Sequence, residues 1–295
     1  MLAIKNLEKT AAKKLLLTSV NIDLHEGEIF AVVGEHKSGK SLLTKLILNL
    51  THKTKGKIKI SGKDFVGSFI SVERLMPNIT VKTAIKDYCN LHDRSYSGRN
   101  VKNILALFNL RKRLNTKIHQ LTNEERDLIK IALPLIIRTD ILIMDSPFRN
   151  ISEKQAKDLR VLLKKISKEL KTAILVTASK MSYIEEICDT IAVIDDGMII
   201  SVQTYNEMIS RELDDAKLGV TVAEPNYAAK VIEDEFKVPA RLCGDQVIVS
   251  LKPDRVQDVV NALTKAHVTV ISAQRVLRSL EHQYWELINN RKKYY

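Results

Sequence analysis

Gly34-Glu35-His36-Lys37-Ser38-Gly39-Lys40-Ser41 matches every fixed position of the phosphate-loop pattern G-x-x-x-x-G-K-[ST]. An apolar run of strand length, residues 28–33, precedes it, and residues 42–48 predict a helix because they contain no breaker. A strand, a glycine-bounded loop and a helix N-terminus would direct backbone N–H groups and the helix dipole at one anion, with Lys40 as a point charge. The alternative is an ordinary strand-to-helix turn with a chance lysine, which this context disfavours.

Composition indicates two domains and a reducing compartment. The 295 residues, 45% of them hydrophobic, suffice for one large core and a second small one. No apolar run approaches the ~20 residues that span a bilayer, and the N-terminus lacks the layout of a signal peptide, so we expect a cytoplasmic protein. The three cysteines lie far apart without a C-x-x-C pair, which predicts reduced thiols and no zinc site.

The formal net charge of +12 raises the question of a nucleic-acid partner. The basic residues are spread along the chain with acidic residues between them, a pattern typical of a solvated surface. We therefore predict no nucleic-acid partner. The excess of positive charge would also suit a subunit that works beside an anionic membrane surface.

Strands that alternate with helices predict an α/β fold with a largely parallel sheet in the first two thirds of the chain. Residues 141–145 form an apolar strand that ends in Asp145, which suits a buried parallel strand that delivers a carboxylate to the ligand-binding edge of a sheet. A helical insert is predicted from Thr80, a candidate cap, to about Lys117, with one apolar helical stripe at 104–110. The other predicted elements are strands over 2–7, 20–24, 57–60, 173–177 and 191–195, and helices over 121–132, 153–170 and 183–188.

The pattern changes past about Leu213, where the order of elements becomes β-α-β-β-α-β, the ferredoxin-like arrangement. A final helix from about Ser279 to Ile288 carries the single tryptophan, Trp285. We predict a nucleotide-binding domain over residues 1–212 and a ferredoxin-like accessory domain over 213–295. The elements expected in the second domain are strands over 218–223, 240–243, 246–251 and 268–273, and helices over 227–236 and 253–266.

The phosphate loop, Asp145 and the helical insert between them together resemble the ATP-binding subunits of ABC transporters, over about residues 1 to 210. Gln120-Leu121-Thr122 is similar to the start of that family's signature helix, and residues 187–197 to its last strands. The tail over 279–287 is similar to the C-terminal extension of exporter-type ABC ATPases. The resemblance implies a P-loop NTPase nucleotide-binding domain with a helical insert, followed by a small C-terminal α+β domain.

The resemblance also implies a site, cofactors and partners. ATP would bind along the phosphate loop, and Ser41 and Asp145 would hold Mg²⁺. A second ATP-binding subunit, identical or different, and a transmembrane permease subunit would be its partners, with the chain peripheral at the inner face of the cell membrane. The implied ATP-binding residues are Gly34, Glu35, His36, Lys37, Ser38, Gly39, Lys40 and Ser41.

Departures from the family pattern affect the catalytic groups. Ser146 stands where the family has a glutamate that orients the attacking water, and a positioned general base is worth roughly 10² to 10⁴ in rate. Ala178, followed by Ser179, occupies the position of the switch histidine, and Ser71 that of a glutamine that senses magnesium and water. No aromatic residue occurs over 9–12, where adenine would stack, a loss on the order of 1 kcal/mol.

The segment that would face a partner's nucleotide is altered as well. The family's L-S-G-G-Q reads Leu121-Thr122-Asn123-Glu124-Glu125, in which Glu124 carries the phosphate's own sign of charge. Ser152 occupies the position of the D-loop aspartate. Lys37 stands where the family often has glycine, so a strained backbone is predicted there.

These departures predict ATP and Mg²⁺ binding with poor or no hydrolysis at the chain's own site, and no catalytic residue is assigned. One alternative is an active transport ATPase whose catalytic groups have moved, for example to Glu153 or Ser179. Another is a regulatory or structural subunit that no longer needs nucleotide.

Overall fold

A computed structural model describes residues 1–61, 65–70, 75–149, 151–184, 187–208, 217–251, 255–276 and 280–292. The chain divides into two compact units, Met1–Tyr205 and Asn206–Tyr295. The boundary predicted after residue 212 falls a few residues further along, in a stretch outside the described residues.

A nine-stranded mixed sheet forms the centre of the first unit. Its strands are β1 (Leu2–Ala11), β2 (Lys14–Leu24), β3 (Ile29–Val33), β4 (Lys55–Ile60), β5 (Val66–Ile70), β6 (Ile141–Asp145), β7 (Ala173–Ala178), β8 (Thr190–Asp195) and β9 (Met198–Thr204). They lie in the order β4-β1-β2-β9-β8-β3-β7-β6-β5. Every neighbouring pair from β8 to β5 is parallel, whereas β4, β1 and β2 pair antiparallel. The predicted α/β fold with a largely parallel sheet is confirmed.

Burial explains the parallel part of the sheet. All residues of β3 and β7, and all of β6 up to Met144, are buried. Near-continuous apolar runs of this kind are typical of strands covered on both faces. Because these strands run in one direction, their carboxyl ends meet at one edge of the sheet, which brings Gly34, Asp145 and Ala178 into one region.

The described helices of the first unit include α1 (Lys40–Ile47), α2 (Val81–Leu91), α3 (Gly98–Leu107), α4 (Asn123–Ile136) and α5 (Glu153–Leu170). Helices α1, α4 and α5 contact strands of the sheet, and α2 and α3 contact α4. The predicted insert is α2 and α3, and Thr80 caps α2 by accepting a hydrogen bond from the Thr83 amide. The apolar stripe expected at 104–110 is only partly helical, since α3 ends at Leu107 and Asn109 has φ +57°. Phe108 and Leu110 are nevertheless buried, in the turn after the helix.

Two expectations for the first unit differ from the structure. The helix predicted over 183–188 is wrong at its described positions, where a single 3₁₀ turn at Met181–Tyr183 is followed by turn and irregular backbone. Ile184, Ile187 and Cys188 are buried there, so their apolar character reflects burial of a short connection to β8 and not helical periodicity. Strand β5 was not predicted because glycine and serine interrupt its apolar run; it pairs in parallel with β6.

The second unit contains β10 (Lys217–Val222), α6 (Pro225–Phe236), β11 (Ala240–Cys243), β12 (Gln246–Val249), α7 (Val256–Lys265), β13 (Val270–Val276) and α8 (Leu280–Lys292). Its antiparallel sheet has the order β11-β12-β10-β13. Without the final helix, its elements follow one another along the chain in the predicted β-α-β-β-α-β order. Side chains of α6 and α7 complete its own core, which includes Val220, Ile232 and Leu263. Among the helices described in both units, none combines the length and the apolar character that crossing a membrane requires.

Candidate phosphate-binding site

The loop between β3 and α1 has a backbone that glycine makes possible. A Cβ at Gly34 would lie 2.2 Å from the Ile194 carbonyl oxygen and 2.5 Å from Ser38 Oγ, which is too close for any larger residue. Gly39 opens α1 with φ +108°. The strain predicted at Lys37 is confirmed, because this non-glycine residue has φ +70°. Glycine is therefore required at Gly34 and Gly39 by the packing and the backbone conformation of the loop itself.

Lys40 is buried at the start of α1, and its ammonium group is held by the loop itself. Nζ donates to the carbonyl oxygens of Gly34 and Glu35, both at 2.7 Å, and to Ser38 Oγ at 3.1 Å. Burial lowers the pKa of Lys40 from 10.5 to about 8, and the negative charges of Asp145 and Glu35 offset this effect only in part. An incoming anion would stabilise the charged form of this buried ammonium group.

Asp145 reaches the same place from the end of β6. Its Oδ1 accepts hydrogen bonds from Thr177 Oγ1 at 2.9 Å, Ser41 Oγ at 3.2 Å and Ser146 Oγ at 3.4 Å. A hydroxyl and a carboxylate side by side next to a phosphate loop are the oxygen ligands that Mg²⁺ uses together with substrate phosphates. The residues present therefore fit a magnesium site at Ser41 and Asp145.

Sequence reasoning missed Thr177, which organises this corner. Its fully buried hydroxyl donates to Asp145 and accepts the Ser146 amide hydrogen at 2.8 Å. Ser146 itself has φ +54°, so this hydrogen bond holds a residue in the left-handed region. Strand pairing is what identifies Thr177, because Met144 pairs with Val176 and Asp145 therefore lies beside Thr177. A single sequence does not reveal that register.

A cavity of about 450 Å³ opens over the loop. Its walls are Leu16, His36, Lys37, Gly39, Lys40, Ser41, Leu42, Ser146, Phe148, Arg149, Thr177, Ala178, Ser179 and Tyr183. Of the predicted loop residues, Gly34, Glu35 and Ser38 stand behind this wall as hydrogen-bond acceptors of Lys40. The polar groups that line the cavity are imidazole, ammonium, guanidinium and hydroxyl groups, and none of these lining side chains is a carboxylate. Such a surface is suited to a polyanion.

The positions of the missing catalytic groups lie at this cavity. Ser146, Ala178 and Ser179 all line it, so the substitutions read from the sequence fall where the ligand would sit. Glu153, considered as a displaced base, is not among the lining residues; its carboxylate is 3.4 Å from Arg160 and its side chain is 80% exposed. Ser71 lies outside the described residues.

The altered signature segment lies at the start of α4, where its own side chains supply the capping hydrogen bonds. Thr122 Oγ1 accepts the Glu125 amide hydrogen at 3.1 Å, and Glu125 in return accepts from the Thr122 amide at 2.9 Å. Partial burial opposes ionisation of Glu125, but hydrogen bonds from Thr122 and Arg113 hold its pKa below the ordinary value. The carboxylate of Glu124 accepts from Gln155 Nε2 at 2.8 Å, which joins the start of α4 to the start of α5.

A glycine-bounded loop between a buried strand and a helix, with a buried lysine and a serine–aspartate oxygen pair at one sheet edge, defines a phosphate-loop nucleotide-binding protein. Residues 17–149 match the family model described as ABC transporter. The family match and the similarity to transport ATP-binding proteins support an ATP-binding subunit of an ABC transporter.

Two relatives with named roles are both ATP-binding proteins of transport systems. The chain is 24% identical to the methionine import ATP-binding protein MetN of Clostridium tetani, over 85% of this chain and 84% of MetN. It is 28% identical to the lantibiotic transport ATP-binding protein SrtF of Streptococcus pyogenes, over 70% of this chain and 92% of SrtF. The fold is that of the ATP-binding cassette MJ0796, solved as a dimer bound to ADP and Pi, with a TM-score of 0.61 at 21% identity over 70% of this chain and 99% of that one.

Proposed function

We propose that this ATP-binding subunit binds ATP with Mg²⁺ and hydrolyses it poorly or not at all at its own site. The observation that carries the proposal is the chemistry of the cavity wall, which offers cations and hydroxyls to a polyphosphate and Ser146 where a base would be needed. Serine is not a base near neutral pH, so the attacking water would lack a group to take its proton. Nucleotide would then act as a clamp that holds an assembly together.

The assembly we infer contains a second ATP-binding subunit and a transmembrane permease subunit, at the inner face of the cell membrane. The cassette MJ0796, which shares the fold, is dimeric. In the ABC arrangement one subunit's phosphate loop faces the other's signature segment, and here Glu124 would stand opposite a phosphate. A more complete paralogue is therefore the better partner than a second copy. The C-terminal tail favours an exporter, although MetN is named as an import protein.

The experiment compares nucleotide binding with turnover in the purified chain. Isothermal titration with MgATP should show binding that Lys40→Ala abolishes. Release of inorganic phosphate should stay near the level of Ser146→Ala, which removes the hydroxyl and supplies no base. The combined substitution Ser146→Glu and Ala178→His should raise turnover by roughly 10²-fold, the lower end for a positioned general base.

Two results would count against the proposal. Rapid, magnesium-dependent phosphate release by the unmodified chain, lost in Lys40→Ala, would show that displaced groups catalyse hydrolysis. Absence of MgATP binding, with Lys40→Ala indistinguishable from the unmodified chain, would favour a subunit that no longer uses nucleotide.

A further inference from the structure

Arg149 carries a guanidinium group that no described residue of the chain engages. Its side chain is exposed and lines the cavity over the phosphate loop. Within the described parts of the chain, this guanidinium forms neither a hydrogen bond nor an ion pair. Other arginines of the first unit are engaged, since Arg113 pairs with Glu125 and Arg160 with Glu153. The guanidinium of Arg149 is therefore available to a ligand in the cavity.

The turn that carries Arg149 is fixed by hydrogen bonds and by a buried ring. It starts at Ser146, whose amide donates to Thr177 Oγ1 at 2.8 Å, and it closes where the Arg149 amide donates to the Ser146 carbonyl oxygen at 3.1 Å. Inside the turn, Phe148 is 1% exposed, and its ring stacks on that of Tyr183 with centroids 5.5 Å apart. The side chain of Arg149 thus extends from a fixed point on the cavity wall.

The position of this turn decides which part of a nucleotide Arg149 would meet. Asp145 immediately precedes it, and Asp145 Oδ1 lies 3.2 Å from Ser41 Oγ and 3.4 Å from Ser146 Oγ, at the proposed magnesium site. The backbone of a phosphate loop holds the α- and β-phosphates, whereas the metal ion bridges the β- and γ-phosphates. The metal site and the turn over 146–149 that follows it are therefore on the γ-phosphate side.

Arg149 is the one charged residue among the described residues that line the cavity from the ends of β6 and β7. A guanidinium presents N–H donors in a planar fork that matches phosphate oxygens, and it stays charged throughout the physiological pH range. It would thus offset the negative charge that a third phosphate adds. The other lining residues from these two strand ends are Ser146, Phe148, Thr177, Ala178 and Ser179.

We propose that Arg149 binds the terminal phosphate and makes the cavity prefer a nucleoside triphosphate to a diphosphate. The proposal rests on the proposed function, because it assumes that the cavity binds MgATP. The site would then distinguish the two nucleotides through one arginine. Since the subunit is proposed to hydrolyse ATP poorly, this preference would keep ATP in the site in place of ADP.

Isothermal titration with two ligands tests the proposal: MgADP, and the magnesium complex of the β,γ-imido analogue of ATP, which resists hydrolysis. The unmodified chain should bind the analogue roughly tenfold more tightly than MgADP. Arg149→Ala should weaken binding of the analogue about tenfold and leave the MgADP dissociation constant within about twofold, because only the analogue carries the phosphate that loses its charged donor. Arg149→Lys keeps the charge without the fork and should recover part of the lost affinity.

Arg111→Ala is the matched control, because Arg111 is exposed like Arg149 and does not line the cavity. This variant should leave both dissociation constants within about twofold. Equal weakening of the two ligands in Arg149→Ala, or no weakening of the analogue, would overturn the assignment of Arg149 to the terminal phosphate. Retained MgADP binding also shows that Arg149→Ala is folded. Failure of both ligands to bind the unmodified chain would instead refute the proposed function.

Discussion

Lys40 is the residue whose chemistry is most directly set by its surroundings. Its ammonium has three hydrogen-bond partners in the loop, yet burial still lowers its pKa to about 8. A bound triphosphate would favour the charged form and raise that pKa, so binding above pH 8 must take up a proton. The affinity for MgATP should therefore be insensitive to this group below pH 8 and fall by up to about tenfold per pH unit above it.

Calorimetry at pH 7 and pH 9.5 measures this dependence, with the proton uptake obtained from buffers of different ionisation enthalpy. Lys40→Arg is the control, because a guanidinium stays charged throughout this range and should give no such decline, whatever its absolute affinity. A flat affinity for the unmodified chain between these pH values would contradict the assignment of the buried ammonium as the phosphate ligand.

Thr177 is not one of the proposed magnesium ligands, but its hydroxyl orients Asp145 and Ser146 beside the proposed magnesium site. Thr177→Val keeps the shape but removes the donor to Asp145 and the acceptor of the Ser146 amide, which leaves a buried N–H without its partner. We expect about tenfold more Mg²⁺ to be needed for half-maximal ATP binding, as is found for groups that orient metal ligands. Thr177→Ser retains the hydroxyl and should behave as the unmodified chain, and a magnesium titration of each variant decides. An unchanged magnesium requirement in Thr177→Val would contradict this role.

At the scale of elements, the sequence predicted the site because parallel strands end together. Apolar runs over 28–33 and 141–145 identify β3 and β6 from their length and lack of polar residues, and the bounds predicted for α5 match the structure. The phosphate loop and Asp145, at the carboxyl ends of these two strands, then have to lie at one edge of the sheet. The length and apolar composition of these runs were enough to predict this part of the site.

Elements whose apolar residues are buried by contacts with distant parts of the chain were not predicted correctly. The 183–188 segment looks helical because Ile184, Ile187 and Cys188 are spaced like a helix face, but they are buried within a connection. Strand β5 is short and interrupted by glycine, and its pairing with β6 supplies what its own sequence lacks. The position of Thr177 beside Asp145 depends on strand register, which is not visible in local sequence.

At the scale of the whole molecule, the two separate hydrophobic cores predict that each unit has its own free energy of unfolding. The core of the second unit is formed by residues between Leu218 and Val268, with Leu263 fully buried in it. Leu263→Ala removes a large side chain from a packed interior and should cost about 2–5 kcal/mol in the free energy of unfolding of that unit. Leu242, 46% exposed in the same sheet, provides the control Leu242→Ala, with an expected change within about 0.5 kcal/mol.

Urea denaturation followed by the fluorescence of Trp285, which lies in the second unit, and by MgATP binding, which reports on the first, separates the two. If each unit unfolds as its own cooperative transition, Leu263→Ala shifts the fluorescence midpoint to lower urea and leaves the MgATP dissociation constant unchanged within about twofold. A single shared transition, moved as a whole together with weakened MgATP binding, would mean that the nucleotide site draws its stability from the C-terminal unit. The accessory domain would then have to be counted as part of the nucleotide-binding machinery.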